Sequence, residues 1–157
     1  MVILAFSSLA ILSFALFANT KRVKEFLPVI MTGVFLRFLE HYIVVDWLRL
    51  WTVKGSHLMH LWLPIITDLT VWPVACYFYL QYLPRKRILL YGAIWAGIML
   101  TYLICIHLLG VFGFRDNWNW GITIIVLCAY FSLINVTWKW LQNRDYNVTD
   151  SAIFKTK

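Results

Sequence analysis

Four ionisable residues stand out inside long apolar runs of this chain. Arg37, Glu40 and His41 belong to one run, and Asp68 belongs to the next. A charged side chain at the centre of a bilayer costs about 2.5–3.5 kcal/mol on insertion scales, so such residues mark either a functional site or a buried pairing partner. Their types allow a carboxylate that exchanges protons, a guanidinium that holds an anionic group, or an ion-pair network that fixes the docking of two helices.

The spacing of these residues predicts that they meet. Arg37 and Glu40 are three residues apart, so they share one face of a helix and can form an ion pair. At 1.5 Å per residue, Glu40 lies roughly 21 Å from the predicted inner end of its helix, and Asp68 lies roughly 22 Å from the inner end of the next helix. We therefore expect a buried polar or ligand-binding cluster of Arg37, Glu40 and Asp68, with His41 close by.

The elements that must position this cluster are transmembrane helices. The chain has 157 residues, of which 62% are hydrophobic and 13% charged, whereas a soluble domain is about 45–50% apolar and about 25% charged. The apolar residues form runs long enough to cross a hydrocarbon core of about 30 Å, and too long for outer-membrane strands. The sequence predicts an all-α integral membrane bundle of about five transmembrane helices.

The predicted boundaries divide the chain into one transmembrane domain, 1–142, and a polar tail, 143–157. The predicted helices cover residues 2–18, 26–47, 60–83, 88–112 and 118–141.

The basic residues predict how these helices are oriented. Cytoplasmic loops carry an excess of Lys and Arg. Ten basic residues lie after the first and third runs, at the end of the fifth run and in the tail, whereas three lie in the opposite loops. The ten are Lys21, Arg22, Lys24, Arg85, Lys86, Arg87, Lys139, Arg144, Lys155 and Lys157. The three are Arg49, Lys54 and Arg115. This bias places the N-terminus outside and the C-terminal tail in the cytoplasm. Because the basic residues cluster between apolar runs, the net charge of +7 does not indicate a nucleic-acid partner.

No motif points to a cofactor or to soluble catalysis. The four histidines, His41, His57, His60 and His107, lack a distinctive ligand spacing, and no two cysteines stand at a CxxC spacing. Transmembrane histidines can ligate haem or zinc, but without a distinctive ligand spacing the sequence predicts no metal and no cofactor. The chain contains no nucleophile elbow, Walker A loop, HExxH or GxGxxG, and no catalytic residue is assigned.

Two short stretches resemble a family of uncharacterised small multi-pass membrane proteins from Bacillus- and Clostridium-type bacteria. The first is Asp68-Leu69 with Pro73, leading to the segment from Gln81 to Arg85. The second is Asn117-Trp118-Asn119-Trp120, which leads into the last helix, and the resemblance covers residues 60–142. It implies a location in the bacterial cytoplasmic membrane and carries over no activity or site residue.

Three functions are compatible with these features. The sequence favours a non-enzymatic protein that acts by packing against membrane partners or copies of itself in the lipid bilayer. The first alternative is a small transporter or ligand-binding membrane protein that uses the Arg37, Glu40 and Asp68 cluster. The second alternative is an intramembrane lipid-modifying enzyme, which would need the cluster to open laterally to lipid.

Overall fold

The chain folds as a mostly helical bundle, seen here in a computed structural model. The structure describes residues 2–54, 57–115 and 118–154, apart from the side chains of 57–61 and 144–154. Its α-helices in these ranges are α1 (Val2–Phe17), α2 (Val23–His41), α3 (His57–Gln81), α4 (Ile88–Leu108) and α5 (Trp120–Phe154). A 3-10 turn at Thr20–Arg22 precedes α2, and a π-helix at Tyr42–Trp47 continues it.

Four helical stretches of the described chain are long and apolar enough to cross a membrane: Thr20–Trp47, Trp62–Gln81, Ile88–Leu108 and Trp120–Asn143. The first helix is apolar but has 16 residues. At 1.5 Å per residue it is about 24 Å long, short of the roughly 30 Å hydrocarbon core.

Several helix ends differ from the sequence-based boundaries. The helix predicted over 88–112 ends at Leu108, because Phe112–Phe114 forms a strand, β2. The helix predicted to end at 141 continues to Phe154, so part of the predicted polar tail is helical. The second helix begins at Val23, three residues early, and the third runs over His57–Gln81 instead of 60–83.

A two-stranded antiparallel ribbon joins the two helical hairpins, so the purely all-α prediction was incomplete. Strand β1 (Trp51–Val53) lies between α2 and α3 and pairs with β2, which lies between α4 and α5. Thr52 stands opposite Gly113, and a further backbone hydrogen bond runs from Lys54 N to Val111 O at 2.8 Å. The ribbon holds the two interhelical loops together at one end of the bundle.

Helix α3 is the centre of the bundle and packs against α1 and α2, while α5 packs against α4 and α2. Half of the α3 span is buried, against 22–28% of the other three spans. Its aromatic side chains supply much of the core, which explains why a helix with a fully buried Asp68 and two internal prolines can be the central one. The edge-to-face contacts of Tyr77 with Phe14 and Phe26 connect α3 to α1 and α2.

The opposite end of the bundle carries the basic turns. Gln81 at the end of α3 donates through Nε2 to Phe17 O at 3.1 Å and accepts from Asn19 N at 2.8 Å through Oε1. These bonds place the α1–α2 turn beside the α3–α4 turn, which contains Arg85, Lys86 and Arg87. We call this side of the molecule the basic end and the opposite side the ribbon end.

Candidate functional site

Arg37 is the centre of the buried charge cluster, towards the ribbon end. Its side chain is 6% exposed and lies between two carboxylates. Arg37 Nη1 donates to Glu40 Oε2 within α2, as the spacing of three residues allows. Arg37 Nε lies 3.5 Å from Asp68 Oδ1 on α3. One guanidinium therefore faces two carboxylates from two helices.

The ring of Trp72 completes the surroundings of the guanidinium. Arg37 Cζ lies 3.8 Å from the centroid of this ring, one turn beyond Asp68 on α3. A desolvated cation over an indole face gains about 2 kcal/mol, more than the same contact in water. The Trp72 contact and the two carboxylates together account for a fully buried arginine in an apolar bundle.

A cavity of about 60 Å³ adjoins the cluster on the side facing α1 and α4. Arg37, His41 and Asp68 line it, together with Thr67 and Tyr102. The ribbon covers it from the loop side through Trp51, Val53 and Phe112, among others. The cavity thus gathers three of the four site residues predicted from the sequence.

The fourth predicted residue, Glu40, lies on the other side of Arg37. It lines a separate apolar groove of about 270 Å³ between α5 and the stretch from α2 into the π-helix. Glu40 is in contact with Arg37 but does not line the smaller cavity as Asp68 does. The two carboxylates therefore face different compartments, joined through one guanidinium.

Two polar atoms that belong to cavity-lining residues are buried without a partner among the described residues, Trp51 Nε1 and Tyr102 Oη. A third buried donor, Arg37 Nε, makes no hydrogen bond but faces Asp68 Oδ1 at 3.5 Å. Each carries an N–H or O–H donor, and leaving such a group unsatisfied costs about 1–3 kcal/mol. These donors belong to residues around one cavity, where a ligand with acceptor atoms can satisfy them.

Two of these residues were missed from the sequence for different reasons. Trp51 has the sequence context of a membrane-interface tryptophan, yet its ring stacks on Phe112 with centroids 5.2 Å apart. Tyr102 lies in the middle of the apolar α4, and its hydroxyl at that depth was the one sequence feature that could have indicated a polar site there. Which cavity a tyrosine faces depends on helix packing, which the sequence pattern does not contain.

The local backbone around the cluster is irregular on both helices. The π-helix begins directly after His41 and is marked by the bond from Leu48 N to Ile43 O at 2.9 Å. In α3, Pro64 and Pro73 flank Asp68 and each removes one backbone donor from the helix. Such departures from the α-helix are frequent at functional sites.

His107 does not line the cavity beside Asp68. His107 Nδ1 lies 3.1 Å from Phe112 O, and its ring stacks on Phe114 with centroids 5.3 Å apart, so it supports the ribbon. His57 and His60 lie in the stretch whose side chains are not described.

Comparisons with protein-family models, with curated proteins and with solved structures find no match for this chain. The resemblance noted from the sequence stays a prediction, and the functional argument rests on the geometry of the site.

Proposed function

We propose that this chain is a small multi-pass protein of the bacterial cytoplasmic membrane that binds a proton or a small hydrated cation in the cavity beside Asp68. In this proposal it is a small transporter or ligand-binding protein and not an enzyme. The four long helices cross the bilayer, and the shorter α1 crosses it where the bilayer thins locally around its ends. The basic end lies in the cytoplasm and the ribbon end outside. The four long apolar helices and the basic clusters at one end support this placement.

The observation that carries the proposal is the pair of unpartnered donors, Trp51 Nε1 and Tyr102 Oη, in residues that line one cavity beside a carboxylate. Water oxygens can accept from both donors. The cavity of about 60 Å³ has room for more than one water, because each water needs about 10–15 Å³ of free cavity volume. Water in the cavity would connect Asp68 to the ribbon end.

The charge of the cluster selects the sign of the ligand. With both carboxylates ionised, Arg37, Glu40 and Asp68 together carry one net negative charge in a medium of low dielectric constant. An uncompensated charge there is costly. A proton on Asp68 or a small cation beside it balances the cluster, whereas an anion would add to the imbalance.

The ribbon is the entrance in this proposal, because Trp51, Val53 and Phe112 cover the cavity from the loop side. Their strands are three residues long, so a small displacement opens a path without disturbing the helices. A ligand then reaches Asp68 from outside.

Cysteine accessibility tests this proposal. Thr67→Cys places a thiol on the cavity wall, in a background with Cys105 and Cys128 replaced by alanine. We expect aminoethyl methanethiosulfonate, a small cation, to modify it from the ribbon end at least ten-fold faster than the sulfonatoethyl anion. Thr123→Cys is the matched control, because Thr123 is a threonine of similar burial on α5 that does not line the cavity.

A second variant tests the entrance. Thr52→Cys with Gly113→Cys places two thiols at directly opposed positions of the ribbon. Oxidation should slow modification of Thr67→Cys, and a reductant should restore it. Equal labelling of the Thr67→Cys and Thr123→Cys variants, or faster labelling by the anion, would rule out a cation-accessible cavity.

The alternative favoured by the sequence, that the cluster serves helix packing, is supported by one observation. Arg37 connects α2 to α3 through Asp68 with both side chains almost fully buried. This alternative predicts no reagent access to position 67 and a loss of stability for every charge-removing substitution. The double-variant cycle described in the Discussion separates the two.

A further inference from the structure

A second cavity lies between α4 and α5, near the basic end and away from the charge cluster. Its volume is about 170 Å³. The first two turns of α4, from Ile88 to Ala93, form one wall, and Ser132 and Asn135 of α5 lie on the other. The α4 wall is apolar, whereas the α5 wall is mixed, because Cys128 and Phe131 line it beside the polar Ser132 and Asn135. The α4 wall begins directly after the turn that contains Arg85, Lys86 and Arg87.

Four cations flank this cavity. Arg85, Lys86 and Arg87 directly precede Ile88, and Lys139 lies four residues after Asn135, on the same face of α5. All four are exposed, and none forms an ion pair with another described side chain. By contrast, Arg22 at the same end is paired with Glu25 at 3.0 Å.

The α5 wall offers hydrogen bonds that the protein leaves unused. Asn135 Nδ2 donates to Tyr79 Oη, while Asn135 Oδ1 is buried without a partner among the described residues. Ser132 donates to Cys128 O at 2.7 Å, which leaves its own oxygen free to accept. Both atoms are acceptors, so a ligand with hydroxyl groups close to a phosphate would donate to them.

We propose that this seam between α4 and α5 binds one anionic phospholipid from the leaflet at the basic end. The phosphate lies among Arg85, Arg87 and Lys139, a headgroup hydroxyl donates to Ser132 or Asn135, and an acyl chain follows the apolar wall of α4. Basic pockets between transmembrane helices on the cytoplasmic side bind anionic headgroups in this manner.

The apolar wall distinguishes a lipid from a free anion. Leu89 is 84% exposed beside the cavity and Leu90 is 56% exposed. In the membrane placement proposed above, these exposed leucines place the opening against the hydrocarbon. A free phosphate would lose its hydration there and has no apolar part that could pack against the α4 wall. The inference relies on the membrane placement proposed above but not on the cavity beside Asp68.

Native mass spectrometry of the purified full chain in detergent tests the inference. The probes are phosphatidylglycerol and phosphatidylcholine with identical acyl chains, and inorganic phosphate in a separate arm. We expect one phosphatidylglycerol to bind at least ten-fold more tightly than phosphatidylcholine, and inorganic phosphate not to displace it. Displacement by phosphate would indicate a simple anion site and overturn the proposal.

Two kinds of variant locate the site. Arg87→Gln with Lys139→Gln should weaken phosphatidylglycerol binding about 25-fold, because each basic residue near a membrane surface contributes about five-fold. Arg49→Gln with Arg115→Gln removes the same charge from the ribbon end and should leave binding unchanged. Ser132→Leu fills the cavity from an exposed position and should also abolish the preference.

The outcomes of these variants are decisive. A preference that survives Ser132→Leu would mean that lipid binds through surface charge alone, and equal losses in both charge pairs would mean that no site exists. Either result overturns this inference without bearing on the cavity beside Asp68, whose test is thiol accessibility.

Discussion

Removing Arg37 should destabilise the protein far more than removing either carboxylate. The cluster carries one positive and two negative charges, so Arg37→Gln leaves two buried carboxylates without a cation. Asp68→Asn instead leaves the pair of Arg37 with Glu40 balanced. Removing one partner of a buried ion pair costs about 3–5 kcal/mol. The side chains of Arg37 and Asp68 are 6% and 2% exposed, so solvent gives little relief.

The expected size of the effect follows from the length of the chain. For proteins of 150–250 residues, each kcal/mol shifts the midpoint of thermal unfolding by about 2–4 °C. Arg37→Gln should therefore lower the midpoint by roughly 6–20 °C. Asp68→Asn should lie within about 3 °C of wild type, because it brings the net charge of the cluster from −1 to zero while keeping a hydrogen-bonding side chain of the same shape.

The assay is thermal unfolding of purified protein in detergent, followed by the remaining monodisperse fraction on gel filtration. The double variant Arg37→Gln with Asp68→Asn closes the cycle and should recover part of the loss, since one stranded carboxylate is gone. If Asp68→Asn alone lowered the midpoint as much as Arg37→Gln, charge balance would not govern the cluster. Asp68 would then act mainly in helix packing.

Two further perturbations test the packing around the site. Gly33→Ala should cost about 1–3 kcal/mol of stability, because the added Cβ would lie 2.7 Å from the buried Tyr130 Oη. The control is Gly97→Ala, whose added Cβ meets nothing within 4 Å. It should be neutral or slightly stabilising in the same unfolding assay. An equal effect of both would contradict the close approach of α2 to α5. Gln81→Leu should release the end of α1 by removing the bond to Phe17 O, and the measurement is faster protease cleavage in the α1–α2 turn with α3 intact. Unchanged cleavage would show that packing alone holds α1.

The sequence was informative where local spacing determines the contact. The ion pair of Arg37 with Glu40 follows from three residues of helix, and the similar depth of Asp68 follows from the rise per residue. Helix length likewise indicated helices rather than strands. These inferences need only the periodicity of an α-helix and the thickness of a bilayer.

The ribbon and the cavity could not be predicted in this way. Strands β1 and β2 have three residues each, too few for an alternating pattern, and their pairing partners are about 60 residues apart in the chain. The opposite directions of Glu40 and Asp68 relative to Arg37 depend on how α2 packs between α3 and α5. Neither is encoded in residues near the site, so the sequence predicted one cluster around Arg37 but not that its two carboxylates line different cavities.

The π-helix at Tyr42–Trp47 also determines where the chain can lose a residue without disturbing the fold. A π-helical turn contains one residue more than an α-helical turn spanning about the same rise, and it lies between the buried cluster and strand β1. Deleting one residue in this segment can convert it to α-helix while both flanking structures keep their positions. Length variation by a single residue should therefore be tolerated here, whereas the same deletion inside α3 would rotate Asp68 away from Arg37 by about 100°.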